Sequence, residues 1–222
     1  MEHSSDKQFI LPAIIISSVL FVGVFFSYVT ARQKTGTVVL PGGVTYLGPT
    51  PTSTQKAEKT PQADGKIYIP ADATWKSRTG AIFPYSFMYP ETLSLGVFPN
   101  DPYDAVTVFY NNTDANANIF FRVENLTTLK KQQYIGKPME YASTWWQDYS
   151  WEGVEKVSAF TNSSGLKGYR ATYRDSQGNT PYDHIFLEVP GKNHLIIWMS
   201  GRLFAPDVFD RMANSVSWST TP

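Results

Sequence analysis

The chain holds only three histidines, His3, His184 and His194, and two of them fall near carboxylates in one late segment, "YDHIFLEVPGKNHLIIWM" (182–199). Asp183, His184, Glu188 and His194 are the residue types that hold a divalent cation or share a proton, and metal-assisted hydrolysis is the reaction such a set would serve. If Pro190-Gly191-Lys192 turns a hairpin so that Val189 faces Asn193, His194 stands opposite Glu188, within pairing reach. His184 then faces Trp198, two further pairs along, too far to share a small ion. The expectation is therefore one cross-strand His–Glu pair and one surface histidine, because a metal centre needs convergent ligands and an open position. No metal ion or other cofactor is assigned.

Other chemistries lack their residues. Without cysteine the chain has no disulfide, thiolate nucleophile or cysteine-bound zinc. Serine, histidine and aspartate are present, but "SSGLKG" (163–168) has neither the order nor the strand-to-helix setting of a nucleophile elbow. Phosphate-binding and dinucleotide glycine motifs are missing. Glu152 and Glu155, beside Trp151, read as a solvated edge rather than a carboxylate pair. No catalytic residue is assigned. The densest local feature is "STWWQDYSW" (143–151), with four aromatics in the seven residues from Trp145. An exposed platform built on Trp145 and Trp151 would take a glycan, a lipid headgroup or a protein. The plainer expectation puts Trp146 and Tyr149 in the core, with Trp145 and Trp151 plugging a helix end. Asn111, Asn125 and Asn162 head N-x-Ser/Thr triplets, which chains rich in Asn and Thr produce by chance.

Composition narrows the classes further. Of 222 residues 42% are hydrophobic and 15% aromatic, enough for a sizeable core. Nineteen basic residues balance 19 acidic ones, so no basic field exists to hold nucleic acid.

The elements that position these residues start at Lys66. Strands are expected at 66–70, 85–90, 93–98, 105–110 and 119–124, with Pro90 ending the second. The period then changes: 137–149 carries a helical stripe of Met139, Ala142, Trp146 and Tyr149, with Trp145 beside it. Four further strands, 154–161, 167–175, 182–189 and 194–199, precede a closing helix at 206–218 with Val208, Phe209, Met212 and Val216 on its apolar face. Strands in succession, a helix, a four-strand meander and a last helix indicate an α+β domain with an antiparallel sheet flanked by helices. In the hairpin register above, Ile185, Leu187, Val189, Leu195, Ile197 and Met199 share one face. His184, Phe186, Glu188, His194, Ile196 and Trp198 share the other, so both faces are covered.

In this order and spacing, "FMYPETL" (87–93), the helix with Tyr141 and Trp145, "GYRATY" (168–173), "NHLIIWM" (193–199) and "MANSVSW" (212–218) resemble the PsbP-like family, named for an extrinsic subunit of the photosynthetic oxygen-evolving complex. The resemblance covers about residues 80–218. It implies an α/β/α sandwich around an antiparallel sheet, shared with a Ran-binding nuclear import factor and bacterial lipoproteins, and a role as an assembly or interaction module. It implies no activity.

Ahead of the domain, residues 9–29 contain no charged side chain. As a helix those 21 residues span about 31 Å, which matches a bilayer's hydrocarbon core. A transmembrane helix is expected over 9–31 after a short tail at 1–8. Val29-Thr30-Ala31 has the small-x-small pattern of signal-peptidase cleavage, but the apolar run is too long and the preceding tail too acidic, so an uncleaved anchor is the expectation. Residues 32–65 read as a Pro/Gly/Thr-rich linker, and 66–222 as the globular domain. Within the linker, 37–48 has the pattern of a hairpin that would dock on the domain or the membrane. Domain composition favours an extracytoplasmic position, although Lys7 against Arg32 and Lys34 leans the other way by one charge. The sequence thus reads as a single-pass, membrane-anchored, non-catalytic interaction or assembly module of the cell envelope. It would meet the bilayer through 9–29 and act on a protein partner. The alternative is a module binding lipid, glycan or a metal ion, and a metal-assisted hydrolase using His184 and His194 stands last.

Overall fold

The computed structural model describes residues 45–47, 65–98, 100–110 and 118–219. The expected spanning segment, the cleavage triplet and Asn111 lie outside them; among the described residues no helix is long and apolar enough to cross a membrane. Eleven strands form two sheets: β1 (Thr45–Leu47), β2 (Trp75–Thr79), β3 (Tyr85–Pro90), β4 (Ser94–Val97), β5 (Val106–Phe109) and β6 (Ile119–Asn125), then β7 (Gly153–Thr161), β8 (Lys167–Arg174), β9 (Asp183–Glu188), β10 (Leu195–Gly201) and β11 (Ser217–Trp218). Helix α1 (Pro138–Thr144) and helix α2 (Pro206–Ser215) fall where the period changes, each opened by a proline in its first turn, where the missing N–H does no harm.

The large sheet has the order β1-β4-β5-β6-β10-β9-β8-β7, antiparallel throughout; the small one is β11-β3-β2. The fold is therefore α+β with antiparallel sheets and two helices, as expected. It differs from a simple α/β/α sandwich in one layer. One face of the large sheet is covered by α2 together with the small sheet, the other by α1 and the turn after it. Pro90 is the point of transfer. Strand β3 belongs to the small sheet and β4 to the large one; the chain crosses on a turn closed by the Leu93 N–H to the Pro90 carbonyl at 3.0 Å.

On the α2 side the two sheets meet through Phe87 and Phe121, ring centroids 5.0 Å apart, with Ile185, Leu187, Ile197, Met212 and Val216 all but fully buried around them. Asn162, heading one of the N-x-Ser triplets, is also buried here. Its amide donates to the Ala213 and Val216 carbonyls at the end of α2 and its oxygen accepts from the Ser164 and Leu166 N–H groups, so it ties the helix to the β7–β8 turn. At Gly168 a Cβ would stand 1.9 Å from the Phe186 carbonyl oxygen, so β8 can lie this close to β9 only with glycine at that place.

Four expectations change. The closing helix stops at Ser215 rather than 218, because Ser217–Trp218 pairs with β3. Residues 66–70 make an isolated bridge, Ile67 to Phe204, rather than a strand. The strand at 75–79 was not expected, since "WKSRT" is polar and half exposed and gains its order from pairing with β3. Within the segment read as linker, Thr45–Leu47 pairs with β4 as an edge strand, and the other arm of the expected 37–48 hairpin lies outside the described residues.

Candidate functional site

The hairpin that carries the histidines is shifted by two residues from the expected register. Ile196, not His194, stands opposite Glu188, and Ser200 stands opposite His184. The cause is a second turn in the connection, where the Leu195 N–H donates to the Lys192 carbonyl at 2.9 Å and lengthens the loop. An even shift keeps every side chain on its expected face, so the face assignments hold while the pairs change. The His194–Glu188 pair is thereby lost. His194 lines a hollow with Phe83 and Trp218, whereas Glu188 is exposed beside another hollow with Gly136 and Lys192. From Ser200, beside His184, back to His194 is six residues of strand, about 20 Å. Asp183 projects to the opposite face from His184 and accepts from Arg170 Nε at 3.2 Å and Nη2 at 2.9 Å; the same arginine reaches Asp210. The four residues named for a metal do not converge, and among the described residues no three of His, Cys, Asp or Glu are grouped to hold one.

His184 is buried, not at the surface, because its face of the sheet is roofed. The roof is Trp145. The expected stripe of α1 is turned: Tyr141, Ala142 and Trp145 face the sheet, while Met139 is 56% exposed and Trp146 half-buried. Two features set this rotation. The Tyr141 hydroxyl donates to the buried Glu124 carboxylate at 2.6 Å, and the Tyr173 hydroxyl donates to the Ala142 carbonyl. Past Thr144 the helix tightens into a 3-10 turn over Trp145–Asp148, whose three-residue period brings Trp145 under the helix end. Trp145 stacks on Tyr149 with centroids 3.9 Å apart, and lies 4.9 Å from both His184 and Trp198.

Beside this roof, over the same face of the sheet, an open cleft of about 570 Å³ remains. Its floor is two cross-strand rows, Arg122 with Trp198, then Phe120, Ser200 and His184. Ser200 is small and buried, the shortest side chain of this floor. Trp151, half-buried, packs edge-on against Tyr182 at 5.4 Å at the rim. Both tryptophans named as binding candidates therefore line the cleft, Trp145 as a buried wall rather than an exposed platform.

The polar groups of the cleft are mostly donors. Trp198 Nε1–H donates to His184 Nδ1 at 3.2 Å, and an indole can only donate, so His184 is neutral with its proton on Nε2. Burial also pushes the imidazole down to about 3. Its Nε2–H and the Trp145 Nε1–H are buried without an acceptor among the described residues. Left so, each costs about 1–3 kcal/mol. Arg122 lies with its guanidinium 4.7 Å from the Trp198 centroid, held by Glu124 through Nε and Nη2 and donating from Nη2 to the Tyr149 hydroxyl at 2.8 Å. Burial alone would lower its pKa, but Glu124 and Tyr149 outweigh that and raise it, so the charge is permanent. Nη1 makes no hydrogen bond among the described residues. Arg202, exposed at the rim, lies 5.6 Å from the Tyr182 centroid and has no carboxylate partner among the described residues. The one acid on the wall, Asp175, spends one oxygen on the Gln177 and Asn179 N–H groups of its own turn.

The Arg122–Glu124 pair was missed in the sequence, yet "FRVE" (121–124) carried a signal. Arg122 and Glu124 sit two apart on a strand face expected to be covered, where charges must pair.

No family model matches the chain, and no curated protein does. Among solved structures it is similar to the solution structure of cyanobacterial PsbP (CyanoP) from Synechocystis sp. PCC 6803, at 17% identity, covering 66% of this chain and 94% of that one, with a TM-score of 0.41. The likeness concerns the fold alone and brings no ligand, partner or activity to this chain.

Proposed function

We propose that the chain is a membrane-tethered, non-catalytic binding module of the cell envelope, and that it binds through the cleft beside Trp145 over the 184–200 sheet face. The observation that carries this reading is the cleft itself: aromatic walls with buried N–H groups that find no acceptor among the described residues. Its volume suits a small organic molecule, and its mix of apolar wall with a few fixed polar groups is the usual make-up of a ligand site. The uncharged run at 9–29 supports the tether, and with it a place in the cell envelope. An assembly role follows if the ligand is part of a partner molecule.

The test uses the full-length chain in phosphatidylcholine nanodiscs, screened by saturation-transfer NMR against flat ring compounds. Ser200→Leu serves as the control, since three added carbons on the floor obstruct the cleft. The expected result is a subset of compounds that contact the wild type and lose contact in the variant. Contacts identical in both proteins, or none in either, would refute the reading.

A further inference from the structure

Resting on that reading, we infer that the cleft takes a planar organic anion, a flat conjugated ring carrying a carboxylate. Three observations restrict the class. First, the walls are aromatic. Trp145, Trp151, Tyr182 and Trp198 line the cleft, Trp145 stacked on Tyr149 and tilted against Trp198, and the Arg122 guanidinium lies over the Trp198 ring. Such a surface favours a flat partner, because each π-face can be matched by another. Second, the unpaired polar groups are donors. His184 Nε2–H and Trp145 Nε1–H have no acceptor among the described residues, Arg122 keeps Nη1 unused, and the Arg202 guanidinium has no carboxylate partner there. A carboxylate offers two oxygens with about four lone-pair sites and no donor, which complements this set.

Third, the donor excess argues against a neutral sugar. A sugar also stacks on tryptophan, but every hydroxyl brings a donor that must find an acceptor when buried. Among the described side chains that line the cleft, the acceptors are hydroxyls and Asp175, one of whose oxygens already serves its own turn. Asp175 also means that the cleft has no strong net field. With Arg122 neutralised by Glu124 and Asp175 on the same wall as Arg202, selection rests on where the N–H groups sit and not on long-range attraction. Arg122 is suited to this because Glu124 fixes its guanidinium from behind, so binding a ligand orders nothing new.

The experiment measures binding of 2-naphthoate to the full-length chain in phosphatidylcholine nanodiscs by calorimetry and tryptophan fluorescence. Its companions are 2-acetonaphthone, a neutral acceptor of the same shape, acetate, and methyl glucoside. Expected is saturable binding of 2-naphthoate, at least about tenfold tighter than 2-acetonaphthone, which is about 1.4 kcal/mol, with acetate and methyl glucoside weaker still. Arg202→Gln, at an exposed position, should weaken 2-naphthoate by about threefold to tenfold and leave 2-acetonaphthone unchanged, as a rim charge typically does. Arg174→Gln, on a surface ion pair with Glu155 outside the cleft, should change neither. If 2-acetonaphthone or methyl glucoside binds as well as 2-naphthoate and Ser200→Leu abolishes it, the cleft binds but the anion assignment is wrong. If none of the four binds, both the assignment and the binding reading fail.

Discussion

The two faces of the large sheet are built from the same strands and solve burial differently. On the α2 side, Phe121, Ile185, Leu187, Ile197 and Met199 close against a second sheet and a helix, and nearly every side chain there is apolar. On the α1 side, alternate residues of those strands supply Arg122, Glu124, His184, Trp198 and Ser200, and the seven-residue α1 is too short to cover them all. The difference is one of completeness. A face packed at interior density leaves no room for a ligand, whereas a face roofed by rings over small and polar residues leaves a cleft with unpaired donors. Stability resides chiefly in the first face and recognition in the second.

Variants that distinguish the faces can be ranked by size. Phe121→Ala opens a cavity between the sheets and should cost about 3–5 kcal/mol in urea unfolding of the full-length chain, with no way to regain it by a second change nearby. Arg122→Ala should cost a similar amount, about 3–5 kcal/mol, but for another reason, because it strands the fully buried Glu124 carboxylate. The double change Arg122→Met with Glu124→Gln should therefore recover at least about half of that loss; additive losses would show that the pair is not coupled and that the α1 face resembles the other.

A smaller effect separates the faces by pH. The neutral His184 has its pKa held down to about 3 in the folded chain, against an ordinary value near 6.5 when unfolded. The unfolded state alone takes up the proton between those values, so this contribution is complete above about pH 6.5 and is lost as pH falls toward 3. The loss is about 1.4 kcal/mol per pH unit, hence about 2 kcal/mol at pH 5. His184→Gln keeps an acceptor for Trp198 and should flatten that acid slope; an unchanged slope would mean that His184 is not held neutral. The smallest effect is Arg202→Gln, which should leave unfolding free energy within about 0.5 kcal/mol of wild type, whatever it does to binding.

How much of this was legible in the sequence depends on which physical rule set each feature. Faces were legible, because side-chain alternation survives an even shift of register, and Ile185 to Met199 and His184 to Trp198 fall on the faces expected. The pair His194–Glu188 was not, because the Leu195–Lys192 turn that sets the register is a backbone hydrogen bond without a side-chain signature. The rotation of α1 escaped for a related reason: Tyr141 turns inward to reach Glu124, a residue 17 positions earlier, and the 3-10 turn at Trp145 breaks the helical period. Strand β2 escaped because "WKSRT" takes its order from β3. The site was half visible. Trp145, Trp151 and His184 were singled out one by one, but their meeting depends on a helix end and three strands arriving together.

The central claim is that the α1 face, and not the α2 face, binds. It is tested most directly by following the indole N–H resonances of the full-length chain in nanodiscs while 2-naphthoate is added, in wild type and in Ser200→Leu. The Trp145 and Trp198 signals should move to saturation in the wild type and stay fixed in the variant, with Trp75 and Trp218 fixed in both. Movement of Trp75 or Trp218 instead, or equal movement of Trp145 in both proteins, would contradict it.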